Sequence, residues 1–268
     1  MALPPRSTAN SVPSAKARRW TADLAEGWDI FGITNGGYLM SIATRAMAAE
    51  SGDRTLIAAT GAYLNPATAG PVDVTVEVLK RGRTLSTLRG VLSQDGKNLV
   101  CVSGVLTGAV RQAEDANLVL GAPPKLPPVE ECVSVEPSQT GPLPPPFSGK
   151  VDLRLHPDDA GMIFGNRATH SLMRGWFRLK EDEQLDANAV VLAADAFPPA
   201  IFNSDLTLGW TPTVELTVQI RNPAPSGWLA CRYATRFVTD GMLEEDGEIW
   251  DESGNPVALS RQLALVPQ

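Results

Sequence analysis

The feature that most constrains the fold of this chain is an internal repeat. The segment NPATAG at 65–70 is matched by NPAPSG at 222–227, and DGKNLVCV at 95–102 aligns with SGNPVALS at 253–260. The two matches occur in the same order, and their offsets are 157 and 158 residues. Asn-Pro and glycine turns are also common loop chemistry by themselves. Because the flanking segments agree as well, we favour a duplicated unit over chance.

Each copy of the repeat contains one candidate buried helix. Segments 36–49 and 186–197 are composed mostly of small and apolar residues. A helix that is apolar on nearly all sides is buried on nearly all sides, so both segments predict central helices. Pro198 and Pro199 should end or kink the second one.

Strands follow each predicted helix. Apolar and polar residues alternate at 72–78 and 213–220, which indicates strands with one buried face. Further strands are expected at 84–93, 99–106, 227–239 and 257–266. A helix that is apolar all round must be wrapped by a curved sheet. The sequence therefore predicts an α+β chain of two tandem repeats, each with an antiparallel sheet wrapped around a central helix.

Composition divides the chain into four parts. Residues 111–150 are expected to form a Pro-rich linker, because nine prolines lie between 121 and 150 and such a segment cannot join the centre of a sheet. Residues 1–17 are expected to be a mobile N-terminal arm. The N-terminal repeat then occupies 18–110 and the C-terminal repeat 151–268.

Charge and cysteine content exclude several classes of protein. The formal net charge of −7 argues against a nucleic-acid partner, which would need clustered Lys and Arg. No apolar run approaches the roughly 20 residues of a membrane span, and the chain begins with no apolar leader. The widely spaced Cys101, Cys132 and Cys231 predict free thiols and a cytoplasmic location.

Several enzyme motifs are absent from the sequence. The two histidines, His156 and His170, and the lack of CxxC and HExxH argue against a catalytic metal. No GxSxG, GxGxxG or correctly spaced phosphate loop occurs. We therefore expect no metal, no cofactor and no Ser-His-Asp triad of the α/β-hydrolase kind.

Five short segments occur in a characteristic order and spacing. They are NGGYL at 35–39, LKRGRT at 79–84, ADAFPP at 194–199, TVE at 213–215 and ALSRQ at 258–262. Together they resemble the bacterial type II acyl-CoA thioesterases over roughly residues 20–266. The resemblance implies a double hotdog fold and an acyl-CoA hydrolase whose substrate is an acyl-CoA.

The resemblance also implies which residues act on the substrate. In that family the second repeat carries an Asp on its helix, a Thr or Ser on the next strand and a Gln on the last strand. Those types occur here as Asp195, Thr213 and Gln262, which would position and activate a water that attacks the thioester carbonyl. In the repeat register, Asp195 corresponds to Tyr38 and Gln262 to Gly104. The first repeat thus lacks the catalytic set, and only the second is expected to be active.

Elementary chemistry supports a role for Asp195. Its neighbours from 190 to 197 are apolar, and a carboxylate buried among them must be paired, protonated or facing a cavity. Burial would raise its pKa toward the range of a general base. The alternative is a carboxylate at the end of a helix that faces solvent. The backbone N–H groups of 186–189 are the expected donors to the oxyanion.

Two other functions compete with thioester hydrolysis. One is a non-catalytic acyl-CoA or lipid-binding hotdog protein, and the other is an enoyl-CoA hydratase, which would need an Asp-His pair. The coenzyme A phosphates call for basic residues at the mouth of the site, either Lys80, Arg81 and Arg83 or Arg174, Arg178 and Lys180. Because exposed sheet edges must be covered, we expect a homo-oligomer, a dimer or larger.

Overall fold

The computed structural model describes residues 17–52, 54–108, 117–139, 143–166, 168–180, 185–206 and 210–266. Its α-helices are α1, Gly36–Ser51, and α2, Ala187–Ala193. Its strands are β1 Arg18–Leu24, β2 Asp29–Ile30, β3 Ile33–Thr34, β4 Thr55–Tyr63, β5 Gly70–Arg81, β6 Leu85–Gln94, β7 Lys97–Thr107, β8 Val133–Ser134, β9 Val151–Leu155, β10 Leu172–Leu179, β11 Thr213–Ile220, β12 Leu229–Ala234, β13 Val238–Thr239, β14 Met242–Trp250 and β15 Pro256–Leu265. Short 3-10 helices occur at Val129–Glu131, Pro146–Gly149, Ala160–Phe164 and Ala200–Asn203.

One antiparallel sheet runs through both halves of the chain. Its order is β1-β5-β6-β7-β4-β11-β15-β14-β12-β10-β9-β8, with β13 beside β14. The two halves join in the middle of the sheet, where β4 pairs with β11. Helix α1 packs against β4 to β7, and α2 packs against α1, β4 and β11. This is the wrapped-sheet architecture that the repeat pattern predicts.

Helix α1 confirms the first predicted helix. Its N-cap is Asn35, whose side-chain oxygen accepts a hydrogen bond from the N–H of Tyr38 at 2.9 Å. It ends at Gly52, which takes the left-handed conformation. Met40, Ala43 and Met47 are fully buried against the surrounding strands. The helix therefore includes all of the predicted segment 36–49, and the strands predicted after it lie in β5, β6 and β7.

Helix α2 is shorter than the sequence predicts. Instead of spanning 186–197 it ends at Ala193, where the N–H of Asp195 donates to the carbonyl of Leu192 at 3.1 Å. Such a three-residue hydrogen bond tightens the last turn and ends the α-helix. The prolines at 198 and 199 prevent any resumption. Asp195 therefore lies in the turn after α2, and its side chain does not take the direction that it would have in a continuing helix.

A local two-fold axis passes through the centre of the sheet. The hydroxyl oxygens of Thr60 and Thr217, which are 157 residues apart in the chain, lie 2.9 Å from each other across the β4–β11 pair. Both strands carry a bulge at equivalent places, Leu56–Ala58 in β4 and Thr213–Glu215 in β11. The sheet register thus reproduces the offset of the sequence repeat, and Thr213 is the counterpart of Leu56.

Within its described residues, the Pro-rich segment joins the sheet only at its edge. Strand β8, Val133–Ser134, pairs with β9 at the end of the strand order. Proline lacks the N–H that a central strand needs, which is consistent with this position. Phe147 is buried and packs beside Trp28 from the first half. The predicted arm at 1–17 lies outside the described residues except for Ala17.

The three cysteines are unpaired, as predicted. Over the part of the chain that the structure describes, neither helix has the length and apolar character needed to cross a bilayer.

A buried ion cluster connects the segment after β9 with strand β10 and the 3-10 helix Ala200–Asn203. Asp159 is fully buried, and its carboxylate accepts hydrogen bonds from Arg174 at 2.8 and 2.9 Å and lies 3.0 Å from Nε2 of His170. Burial alone would raise the pKa of this carboxyl, but Arg174 and His170 hold it below its usual value. Asn203 donates to the carbonyl of Asp159 at 2.9 Å. The cluster thus ties β10 to the 3-10 helix Ala200–Asn203.

We predict that Asp159→Asn lowers the free energy of unfolding by about 3 kcal/mol, because Arg174 then lacks its buried counter-charge. Urea denaturation at pH 7 measures the loss. The control Asp73→Asn breaks the exposed pair with Arg19, which solvent screens, and should cost much less than Asp159→Asn.

The pH dependence of this loss follows from the lowered pKa of Asp159. A depressed folded-state pKa stabilises the fold above the unfolded pKa of about 3.9, and the stabilisation is lost as the pH falls through the folded value. The difference between wild type and Asp159→Asn should therefore shrink in acid. A difference that grows on acidification would contradict the pairing.

Candidate active site

A cavity of about 760 Å³ opens at the N-terminal end of α1, between the two halves. Its wall is mostly apolar and comes from the loops before α1 and after β4, the Pro-rich segment, the turn after α2, and strands β11, β14 and β15. Of the described residues that line it, only Asp195 and Glu245 carry an ionisable carboxyl, and none is Lys or Arg. A pocket of this size and character suits a small organic ligand.

All three residues predicted from the sequence line this cavity. Gln262 projects from β15 and donates from Nε2 to Oγ1 of Thr213 at 2.6 Å. Thr213 is the first residue of β11, beside the bulge that turns the strand end. Asp195 reaches the cavity from the turn after α2. The fold therefore brings together residues from three separate parts of the second repeat.

The carboxylate of Asp195 lies at the N-terminus of α1. Its Oδ2 accepts hydrogen bonds from the N–H of Gly37 at 2.7 Å and from Nδ2 of Asn35 at 3.1 Å. Burial raises the pKa of Asp195 to about 6, against the opposing effect of these two donors. At neutral pH the group is mostly ionised yet basic enough to accept a proton. The solvent-facing alternative considered for Asp195 is therefore wrong.

The donors to Asp195 are residues that sequence reasoning did not assign to the site. Asn35 and Gly37 belong to the first repeat, although their segment NGGYL is one of those that carry the family resemblance. Asn35 acts twice, because its oxygen caps α1 while its Nδ2 donates to Asp195. The site is thus built across both repeats, not within the second alone.

Gly37 allows a close approach between the two halves. A Cβ atom at this position would lie 2.8 Å from Cβ of Asp195 and 3.1 Å from the carbonyl oxygen of Leu192. The absence of a side chain at 37 therefore lets the turn after α2 rest against the first turn of α1. Tyr63, whose ring lies beside Gly36, closes the same corner of the cavity.

The counterpart of Asp195 in the first repeat is Thr44, and the predicted correspondence with Tyr38 is wrong. Aligning the helices at their N-caps, Asn35 and Asp186, pairs Asp195 with Thr44 and Gly37 with Asn188. The contacts agree, since Thr44 donates to the side-chain oxygen of Asn188 at 2.9 Å just as Gly37 donates to Asp195. The repeat offset is 151 residues at the helices, from Asn35 to Asp186, but 157 in the strands that follow, from Thr60 to Thr217. The offset of the strand segments therefore does not apply to the helices.

The first repeat does not reproduce the side chain of Gln262. The sheet register confirms that Gly104 is the counterpart of Gln262, because Ala59 pairs with Gly104 as Leu216 pairs with Gln262. A Cβ at Gly104 would lie 2.4 Å from Cε of Met47. Met47 of α1 therefore fills the space that Gln262 occupies in the second repeat.

The expected oxyanion donors at 186–189 are not available. The Asp186 side chain accepts from the N–H groups of Asn188 at 2.9 Å and Ala189 at 2.8 Å, and none of these residues lines the cavity. The first turn of α1 offers the alternative. Gly36 lines the cavity, and its N–H has no acceptor within the described ranges. The positive end of the α1 dipole therefore points into the site.

Neither set of basic residues proposed for coenzyme A lines the cavity. Arg81 donates to the carbonyls of Glu50 and Ser51, at the opposite end of α1 from the cavity. In the second set, Arg174 is held by Asp159, and Arg178 and Lys180 contact acidic partners away from the site.

Family models match both halves of the chain. Residues 24–109 match the family described as acyl-CoA thioesterase N-terminal domain, and residues 128–266 match the acyl-CoA thioesterase C-terminal domain. The chain is similar to a crystal structure assigned as a thioesterase II from Thermobifida fusca, with 31% identity, a TM-score of 0.82, and coverage of 95% of this chain and 94% of that one.

Two further relatives extend the comparison. A protein with a hot dog fold from Alicyclobacillus acidocaldarius shares the fold at 18% identity and a TM-score of 0.79, covering 95% of each chain. An uncharacterized protein of Mycobacterium tuberculosis is 26% identical over 285 aligned residues, covering 100% of this chain and 97% of its own. The predicted double hotdog is confirmed.

We predict that Gly37→Ala destabilises the protein by about 2 kcal/mol through overpacking against Asp195 and Leu192. In a helix, Ala in place of Gly normally stabilises by up to about 1 kcal/mol, so a net loss isolates the clash. Chemical denaturation measures it. Gly108→Ala is the matched control, because its Cβ would meet only the flexible Arg54 side chain at 3.5 Å. Equal effects of both substitutions would mean that the turn after α2 is not held against α1.

Proposed function

Because this chain belongs to the acyl-CoA thioesterase family, we propose that it hydrolyses acyl-CoA thioesters in the cavity at the N-terminus of α1. One observation carries the proposal: Asp195, Thr213 and Gln262 line the same largely apolar cavity, with Asp195 beside the first turn of α1. An apolar acyl chain fits such a wall, and the polar groups are confined to one corner, where a reacting carbonyl can lie.

In this proposal Asp195 is the general base that activates a water. Gln262 donates to the oxygen of Thr213, so the Thr213 hydroxyl hydrogen remains available for the water oxygen. The side-chain oxygen of Gln262 can accept one hydrogen of that water, and Asp195 accepts the other. The three side chains thereby direct a lone pair of the water toward the substrate.

The reaction follows from these positions. The water oxygen bonds to the thioester carbon while its proton passes to Asp195, and the carbonyl oxygen becomes an oxyanion. The N–H of Gly36, at the positive end of α1, is the donor available to stabilise that charge. The carbon–sulfur bond then breaks, and the thiolate takes the proton from Asp195. No covalent intermediate with the protein is needed.

The cavity wall suggests which way the substrate lies. The inner wall includes Tyr233 and Leu153, which are almost fully buried, whereas Phe31 and Trp210 at the mouth are exposed and contact each other edge to face. We therefore place the acyl chain inward and coenzyme A outward. Since no cation lines the described wall, the phosphates of coenzyme A would lie beyond the mouth.

The hydratase alternative lacks the group it needs. Neither His156 nor His170, both of which the structure describes, is among the residues that line the cavity. His170 is engaged with Asp159, and His156 accepts from the N–H of Asp158. A non-catalytic ligand-binding role remains as an outcome of the experiment below.

We also propose that the protein forms a homo-oligomer and is located in the cytoplasm, as the sequence predicts. Leu259 and Leu263 lie on β15 and are exposed on the face of the sheet opposite Gln262. Exposed leucines in one row support a protein partner on that face, and a second copy is the occupant we propose.

We predict that Asp195→Asn lowers kcat/KM for acyl-CoA hydrolysis by about two orders of magnitude or more, because the water loses its base. Release of free coenzyme A from short-, medium- and long-chain acyl-CoAs measures the effect. Asp73→Asn, on the exposed outer strands, is the control and should retain activity. Equal activity of wild type and Asp195→Asn would exclude Asp195 as the base. Binding without turnover by the wild type would support the non-catalytic alternative.

We also predict a pH dependence with a midpoint near 6, the pKa of Asp195. Activity should rise with pH through this value, because only the ionised carboxylate accepts a proton. Asn35→Ala removes a donor that favours the charged form and should move the midpoint upward. The midpoint separates this positioning effect from a general loss of stability. A midpoint that stays fixed or falls in Asn35→Ala would contradict the role of Asn35.

A further inference from the structure

Glu245 is a buried carboxyl in the cavity that the hydrolytic mechanism does not use. It lies on β14, is only 7% exposed, and faces the same side of the sheet as Gln262, its direct partner in the β14–β15 register. Side chains in such opposed positions have Cβ atoms about 5 Å apart. Glu245 is therefore next to the group that holds the attacking water, on the inner side of the cavity.

One oxygen of Glu245 has a partner and the other does not. Oε2 accepts a hydrogen bond from the N–H of Ala200 at 2.5 Å, at the start of the 3-10 helix Ala200–Asn203. Oε1 has no partner within the described part of the chain and is not sealed from the cavity. Once a ligand has expelled the water from the cavity, an oxygen left without a partner is costly, so a ligand atom that satisfies it gains affinity.

The protonation state of Glu245 makes Oε1 a donor. Burial raises the pKa of Glu245 to about 8, opposed by the Ala200 N–H and assisted by the nearby charges of Asp195 and Glu244. The group is thus mostly protonated at neutral pH. Since Oε2 accepts from Ala200, Oε1 is the oxygen left to carry the proton.

Support of the 3-10 helix does not by itself account for a carboxyl here. Accepting the Ala200 N–H requires one oxygen, and a glutamine amide would supply it without burying an ionisable group. An apolar inner wall would suit a plain alkyl chain better than a carboxyl that such a chain leaves unsatisfied. The presence of the second oxygen, Oε1, therefore indicates a role in recognition of the ligand.

We propose that Glu245 is a specificity-determining residue that hydrogen-bonds a hydroxy or oxo oxygen on the acyl chain, close to the thioester. The proposal rests on the function proposed above. A substituted acyl group satisfies Oε1 once the cavity water is expelled, whereas a plain alkyl group leaves it without a partner. Sites that hydrogen-bond a substrate oxygen reject analogues that lack it.

The test compares kcat/KM for 3-hydroxybutyryl-CoA and butyryl-CoA. We expect the wild type to favour the hydroxylated substrate about tenfold or more. In Glu245→Gln the amide can accept from Ala200 and donate to the substrate, so the ratio should stay within about threefold of wild type. In Glu245→Leu the ratio should fall to near one. Glu248→Leu, on the same strand but paired with Arg232 on the other face, should keep the wild-type ratio.

The ratio of the two substrates separates recognition from support of the fold. Loss of the Ala200 hydrogen bond alone would lower kcat/KM for both substrates together and leave their ratio unchanged. A wild-type ratio near one, or a preference that survives in Glu245→Leu, would overturn the proposal.

Failure of the proposed function can be distinguished from failure of this inference. If the wild type hydrolyses neither substrate, the hydrolytic function fails, and binding then tests Glu245 directly. The probes are the non-hydrolysable thioether analogues, S-butyl-CoA and S-(3-hydroxybutyl)-CoA, titrated into wild type and Glu245→Leu. The assignment is supported if the wild type binds the hydroxylated analogue more tightly than the plain one and Glu245→Leu does not. Equal binding of both analogues by wild type overturns it.

Discussion

The contact between the Asp195 carboxylate and the first turn of α1 is the interaction on which the site depends. It joins residues 158 positions apart through the N–H of Gly37 at 2.7 Å. The α1 dipole and the Asn35 amide stabilise the charge that burial would otherwise suppress. The same contact sets the depth at which the turn after α2 enters the cavity. Without it, Asp195 would have neither a fixed position nor a pKa suited to its proposed role.

A nearly symmetric fold carries one asymmetric site. The local two-fold axis relates Asp195 to Thr44, Thr213 to Leu56 and Gln262 to Gly104. The first-repeat positions hold a hydroxyl, an apolar side chain and a glycine packed against Met47, so the Asp, Thr and Gln set is not repeated there. Each repeat nevertheless remains necessary, because the first supplies the helix N-terminus against which the second places its carboxylate.

Two carboxyls in the same cavity have different protonation states because their partners differ. Asp195 has two donors and a helix N-terminus, and its pKa is raised only to about 6. Glu245 has one donor and lies near the charge of Asp195, and its pKa is raised to about 8. One group can thus accept a proton while the other donates a hydrogen bond. Environments that separate two pKa values in this way are typical of functional sites.

Periodicity and composition are local properties of a chain, and they were enough to predict the repeat, helix α1 and the alternating strands. The assignment of Asp195, Thr213 and Gln262 to the site came from the family resemblance, with the apolar surroundings of Asp195 as support. The sequence did not determine that α2 ends at Ala193, that Asn35 and Gly37 hold Asp195, or that Glu245 faces the cavity. Those facts depend on how two halves of one sheet meet in register, and contacts between residues about 160 positions apart leave no local pattern to read. They become visible only in the folded chain, because the free energy of each contact depends on the position of both partners.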